Sequence, residues 1–284
     1  MRDYETEYRA RLRVPAFLDI MARWQADSVS ARRTAHTVLD QPYGAAPRQR
    51  YDLLCAAPPA ADRPAPLVVF IHGGYWQLDN CRDYQFTARA LNAAGIDVAF
   101  PWYSLCPAVS VLQIVDELRR CVAALWTRRG QRPIVVGHSA GGHLTAALLA
   151  TDWTAHPGAP GDLVRAGVAI SGVFELAPLV TTTMNTALQL DPASAVAASP
   201  LGWPVPPPAG ARTLVAAVGG DETDEFHRQS RAIVETWGGR GVHTEHLPVA
   251  GANHFTVVDA LADPGSTLFR RVVDLTREPP APLC

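Results

Sequence analysis

The chain contains no lysine: all 25 of its basic residues are arginine. That absence removes Schiff-base chemistry and pyridoxal phosphate attachment, both of which need an amine side chain. We read it as the codon bias of a GC-rich genome. An excess of one charge is lacking too. With 27 acidic residues the net charge is −2 and the pI near 6.5, so neither nucleic acid nor an anionic membrane is expected as a partner. Cysteine is sparse. Cys55, Cys81, Cys106, Cys121 and Cys284 are scattered, odd in number and without C-x-x-C spacing. They read as reduced thiols, mostly buried apolar fillers, in a cytoplasmic protein. Residues Met1–Glu7 are charged and carry no apolar leader core, and no apolar run approaches membrane-spanning length. No His/Asp/Glu cluster has ligand spacing such as H-E-x-x-H, so no metal and no other cofactor is expected. Internal repeats and low-complexity tracts are absent as well.

What the chain does have is the length and apolar content for a sizeable core: 284 residues, 48% hydrophobic. We read residues 1–284 as one large α/β domain. Apolar runs predict strands at His36–Leu39, Arg50–Leu54, Leu67–Ile71, Ile96–Phe100, Ile134–Val136, Ala166–Ile170, Thr213–Val218 and Val242–Leu247. Amphipathic segments alternate with them. In Val111–Arg128, for example, Leu112, Val115, Leu118, Val122 and Leu125 recur at helical spacing. This alternation predicts a mostly parallel sheet with helices on both faces. Turns follow the first two strands, so an antiparallel start is expected. Two segments break the rhythm. Residues 1–30 are largely helical, placed to cover either a sheet edge or the mouth of a site. Residues 171–211, ending in Pro204-Val205-Pro206-Pro207-Pro208, read as an insertion that builds part of a pocket wall.

The richest stretch is Ile134-Val135-Val136-Gly137-His138-Ser139-Ala140-Gly141-Gly142-His143. An apolar strand runs into G-x-S-x-G, and an apolar-faced helix, Leu144–Ala150, follows. This is the pattern of the nucleophile elbow of the α/β-hydrolase fold, in which glycines permit a sharp strand-to-helix turn that lifts the serine above the sheet. Upstream, Phe70-Ile71-His72-Gly73-Gly74-Tyr75-Trp76 follows the third strand. There Gly73 and Gly74 let backbone N–H groups approach a substrate oxygen and, with the N–H of Ala140, form an oxyanion hole. His72 reads as structural, since the motif works through its backbone.

A serine nucleophile needs a base, and the base an orienting carboxylate, in the chain order Ser, acid, His. His254, directly after the last strand, fits. His36 and His156 fall outside the order, and His227, His243 and His246 lie on a helix and a strand. His143 lies behind the elbow, and His138 is read as pointing away from it. The acid should leave strand Thr213–Val218, where Asp221, Glu222, Asp224 and Glu225 all stand. Any of these could instead cap the helix Asp224–Trp237, and physical chemistry alone leaves Asp221 and Glu222 open.

Over nearly its full length the chain resembles kynurenine formamidases (arylformamidases) and their bacterial α/β-hydrolase relatives. The matching pieces are Tyr43-Gly44 with Tyr51-Asp52-Leu53, His72-Gly73-Gly74-Tyr75-Trp76, Tyr103-Ser104-Leu105-Cys106-Pro107, Gly137-His138-Ser139-Ala140-Gly141-Gly142-His143-Leu144, Ser171-Gly172-Val173-Phe174 and Glu225-Phe226-His227-Arg228-Gln229-Ser230. The H-G-G-x-W form and the E-F-x-R-Q-S segment are more family-specific than the elbow, which all esterases share. The resemblance implies Ser139 as nucleophile, His254 as base and Glu222 as the acid, in place of the family's aspartate; Asp221 is the alternative. It also implies Tyr75 and Trp76 as lining for an aromatic substrate.

The implied activity is cleavage of the formyl amide of an N-formyl aryl amine, N-formyl-L-kynurenine first, within tryptophan catabolism. A general short-acyl carboxylesterase uses the same machinery. A third reading, from outside catalysis, is an inactive hydrolase fold serving as a small-molecule receptor. The expected partner is a small aromatic substrate; the sequence admits a homodimer without indicating one.

Overall fold

The computed structural model describes residues 2–56, 64–206 and 212–277. Cys284 and the prolines Pro207 and Pro208 therefore lie outside the described residues.

Eight strands form one sheet: β1 (His36–Pro42), β2 (Arg50–Cys55), β3 (Leu67–Ile71), β4 (Asp97–Pro101), β5 (Ile134–His138), β6 (Ala166–Ile170), β7 (Thr213–Gly219) and β8 (His243–Val249). Their spatial order is β1-β2-β4-β3-β5-β6-β7-β8. Pairings β1–β2 and β2–β4 are antiparallel, and all others are parallel. The expected strands are all present, with ends shifted by up to three residues. β1 runs on through a bulge between Val38 and Gln41, at which Asp40 takes a positive φ of 54°.

Ten α-helices accompany the sheet among the described residues: α1 (Tyr4–Tyr8), α2 (Ala10–Arg13), α3 (Phe17–Thr34), α4 (Ala88–Ala93), α5 (Val111–Arg129), α6 (Ala140–Leu149), α7 (Asn185–Leu188), α8 (Pro192–Ala197), α9 (Asp224–Gly238) and α10 (Thr267–Arg277). None is long and apolar enough to cross a membrane. Alternate side chains along each strand face opposite sides of the sheet, and both faces are buried. Val69, Ile71, Val135, Ala169, Leu214 and Val218 pack with α5, α6 and α9. Val68, Phe70, Val136, Val168, Ile170 and Val215 pack with α3, α4 and α10. Strands covered on both sides read as unbroken apolar runs, which is why they stand out in the sequence.

Sequence chemistry also fixes the helix ends. Ser110 and Gln113 form a reciprocal capping box at the start of α5, and Gly130 ends that helix in the left-handed region at φ 64°. The parallel register brings the carboxyl ends of β3, β5, β6 and β7 level, with Ile71 beside Gly137, His138 beside Ile170 and Ile170 beside Ala217. In open α/β sheets ligands bind along that edge.

Candidate active site

Ser139 stands at the turn between β5 and α6 with φ 56° and ψ −117°, a conformation that costs a non-glycine residue on the order of 1–3 kcal/mol. The surrounding backbone imposes it. The N–H of Ser139 still completes the β5–β6 ladder to the carbonyl of Ile170 at 2.8 Å, and its carbonyl already accepts from Gly142 at 2.8 Å. Both elbow glycines are dictated by close approach. A Cβ on Gly137 would collide with the carbonyl of Gly141, and one on Gly141 with the carbonyl of Ile71.

Gly73 lies against the elbow from the other side, its Cβ position only 3.0 Å from the Cβ of Ser139. Gly74 has φ 107°, so the loop turns there and presents Tyr75. Ala140 opens α6, and a first-turn N–H has no carbonyl within its own helix. Gly73 and Ala140 thus flank Ser139, and Gly74 lines the same cavity.

His254 follows β8. Its Nδ1 lies 2.6 Å from Oε2 of Glu222, and the Glu222 side chain is fully buried. The other carboxylate oxygen of Glu222 accepts from the hydroxyl of Ser171 at 2.5 Å and the N–H of Gly219 at 2.7 Å. Asp221 is exposed and meets the loop only through its backbone, donating to the carbonyl of Ala252 at 2.9 Å. Of the two adjacent acids, the one at the histidine is Glu222. Neither caps α9. That task falls to Glu7 from the N-terminus, whose carboxylate accepts from the N–H of Glu225 at 3.0 Å.

His138 differs from the sequence expectation. It lies beside His254, with ring centroids 4.8 Å apart, and borders the same cavity. Its Nε2 donates to the carbonyl of His254 at 2.7 Å, which leaves Nδ1 to accept from the hydroxyl of Tyr84 at 3.0 Å. Burial pushes its pKa well below the ordinary value, so it is a neutral prop for the histidine loop. His72 and His143 are likewise buried and lowered to about 4. His72 donates to the carbonyl of Gly73 and stacks on Tyr103, while His143 donates to the carbonyl of Ala198.

Ser139, His254 and His138 open onto a cavity of about 350 Å³, at the small end of ligand pockets. Its walls come from the H-G-G loop (Gly74, Tyr75, Gln77, Leu78), from Tyr84 and Phe255, from Thr183 and Met184 between β6 and β7, and from Tyr8, Arg9, Ala10, Arg11, Phe17 and Met21. The N-terminal helical segment therefore lies over the mouth. Trp76 does not reach the cavity. It is fully buried and packs edge-on against His143 at 5.0 Å, so Tyr75 alone of the expected aromatic pair is in the wall. Its positive φ of 57° turns the side chain under the loop.

The N-terminal strap is pinned at several points. Tyr8 donates to Oε1 of Glu225 at 2.7 Å, Arg2 pairs with Oε2 at 2.8 Å, and Thr183 donates twice to Glu5 at 2.6 and 2.7 Å. Tyr75 donates to the carbonyl of Tyr8 at 2.5 Å. Burial opposes the charge on Glu225, yet bonds from Arg228, Tyr8 and Arg2 outweigh it and hold the carboxyl below its usual range. Among the described residues no group of three or more His, Cys, Asp or Glu side chains is placed to hold a metal ion.

Comparison with known proteins agrees with this fold. A family model for the α/β hydrolase fold matches residues 68–203. The kynurenine formamidase of Danio rerio is 27% identical over 249 residues, covering 86% of this chain and 84% of that one. That of Salmo salar is 29% identical over 240 residues, covering 82% and 80%. The chain has the α/β-hydrolase fold and is similar to kynurenine formamidases. Among solved structures, a Silicibacter protein provisionally described as a thioesterase superposes with a TM-score of 0.84 at 29% identity, covering 98% of this chain and 100% of that one. Esterase B from Lactobacillus rhamnosis superposes with a TM-score of 0.70 at 18% identity, covering 98% and 97%, a likeness of fold alone.

Proposed function

We propose that this hydrolase uses Ser139, His254 and Glu222 as a catalytic triad to cleave the formyl amide of an N-formyl aryl amine, with N-formyl-L-kynurenine, a tryptophan breakdown product, as the model substrate. The observation that carries the reading is the 2.6 Å contact of Glu222 with Nδ1 of His254, beside a strained serine on the same cavity. A carboxylate accepting at Nδ1 fixes the tautomer that leaves Nε2 free to take a proton.

Ser139 attacks the formyl carbon, and its hydroxyl proton passes to Nε2 of His254. Negative charge develops on the formyl oxygen, where the N–H groups of Gly73, Gly74 and Ala140 receive it; one such donor is worth about 3 kcal/mol. His254 returns the proton to the departing aryl amine, leaving a formyl ester on Ser139. Water, activated by the same histidine, releases formate. Because the acyl group is so small, binding energy must come from the amine side, which the aromatic and apolar walls at Tyr75, Phe17, Met21 and Phe255 supply. Free thiols at Cys55, Cys81, Cys106 and Cys121 favour a reducing, cytoplasmic setting.

The second reading, a short-acyl carboxylesterase, is favoured by the small apolar cavity and uses the same groups. Comparing kcat/KM on N-formylkynurenine and p-nitrophenyl acetate separates the two. We expect the formamide to be preferred. Preference for the acetate would favour the esterase, and no turnover of either would favour a binding protein.

A further inference from the structure

The cavity carries a charge pattern that the triad chemistry does not require. Two of its lining residues, Arg9 and Arg11, are guanidinium-bearing, and no lining residue is Asp or Glu. Arg9 is already neutralised, its Nε 2.8 Å from Glu5. Arg11 is exposed, and among the described residues no side chain pairs with it. A cation left unpaired at the rim of an apolar cleft focuses the local field on whatever enters.

The backbone that carries it is anchored on both sides. Arg11 belongs to α2, directly after the point where Tyr8 is held by Glu225 and Gln229 through its hydroxyl and by Tyr75 through its carbonyl. On the other side, Phe17 packs on Phe255, next to His254, with centroids 4.8 Å apart. The strap therefore holds Arg11 on the same wall as the catalytic histidine loop. A guanidinium offers paired N–H donors matched to a carboxylate.

We propose that Arg11 is a specificity-determining residue that selects substrates bearing a carboxylate on the leaving-group side of the scissile bond. The proposal rests on Ser139 as the nucleophile, though not on the acyl group being formyl.

The test uses two matched pairs on the full-length enzyme: formanilide against 3-carboxyformanilide, and phenyl acetate against 3-carboxyphenyl acetate. In the wild type the carboxylated member of each hydrolysed pair should have the lower KM. Arg11→Gln should lower kcat/KM on the carboxylated member by about 10- to 30-fold, mostly through KM, as for a lost charge-assisted hydrogen bond. The neutral member should stay within about twofold, since it offers no carboxylate for the guanidinium to bind. Arg11→Lys should recover part of the loss, and added salt should weaken the wild-type preference. An equal fall on both members, or no fall on either, overturns the role of Arg11. Failure of the formanilides with active acetates would refute the formamidase reading while the ester pair still decides this one.

Discussion

Glu222 holds His254 with one carboxylate oxygen and is itself held by Ser171 and Gly219 through the other. The imidazole is thus oriented by a group that has little freedom to turn. Glu222→Gln should keep the shape and lose the tautomer control, a defect worth about 10⁴ in kcat for a triad acid changed to an amide. Asp221→Asn should retain activity within about threefold, as expected of an exposed side chain away from the chemistry. The opposite ranking in steady-state assays would move the role to Asp221. Ser171→Ala should fall between them, because it loosens the carboxylate without removing it.

Removing the nucleophile is the most direct check on the serine mechanism. Ser139→Ala should lower kcat by about 10⁶, as in a serine hydrolase stripped of its triad serine, with an unchanged urea midpoint. Activity within tenfold of wild type would exclude Ser139 as the nucleophile.

A chelator such as EDTA should leave turnover unchanged, because protein groups supply both the proton transfers and the oxyanion donors in the proposed cycle. Loss on chelation with recovery on adding zinc or manganese would overturn that cycle.

The strap should respond to its anchors. Glu225 is buried among Arg2, Arg228, Tyr8 and Gln229, and truncating one member of such a network costs about 3–5 kcal/mol. Glu225→Ala should therefore lower stability and speed tryptic cleavage at Arg9, Arg11 and Arg13. Tyr75→Phe is the milder variant. It deletes only the bond to the Tyr8 carbonyl, at a cost of about 1 kcal/mol, and should raise KM more than it lowers kcat. Unchanged proteolysis in both variants would show that other contacts hold the strap.

Acid stability follows from the buried histidines. His72 and His143 are held at about 4 by burial, and His138 is also lowered, against an ordinary value of about 6.5. As pH falls below about 6.5 the unfolded chain binds protons that these folded imidazoles refuse. Stability then declines, on the order of 2–3 kcal/mol each for His72 and His143, whose contribution levels off below about pH 4. Asp52 and Glu225, held low despite burial by Arg82 and Arg228, act in a different window: their stabilisation is intact above the usual carboxyl range and is lost only below about pH 4. Urea midpoints should therefore drop between about pH 7 and about pH 4.5, before the carboxylates titrate. A flat midpoint would mean that the imidazoles are protonated in the fold.

The sheet was legible because parallel strands buried on both faces carry continuous apolar runs, and the elbow because its glycines answer to backbone collisions that no other residue avoids. Ser139 and His254 stand out by motif and chain order, whereas chain order leaves Asp221 and Glu222 open and only the family resemblance points to Glu222. Trp76 was misplaced because a motif gives the spacing of side chains and not the face on which each emerges; two consecutive positive φ angles at Tyr75 and Trp76 send one to the cavity and the other beneath it. His138 was misjudged for a similar reason, since only the fold reveals that the loop after β8 folds back over β5. Ser171 sits in a recognisable motif, but its bond to Glu222 spans 51 residues of chain. The helix cap from Glu7 to Glu225 crosses 218, and no local pattern announces it.

Those long spans have a consequence in time. The strap is synthesised before the sheet, and its partners on α9 follow more than two hundred residues later. Until then Tyr8 and Glu7 have nothing to hold, and residues 2–11 must wait beside a growing sheet. The mouth of the cavity is therefore among the later features to be finished, closed by residues made well before their partners.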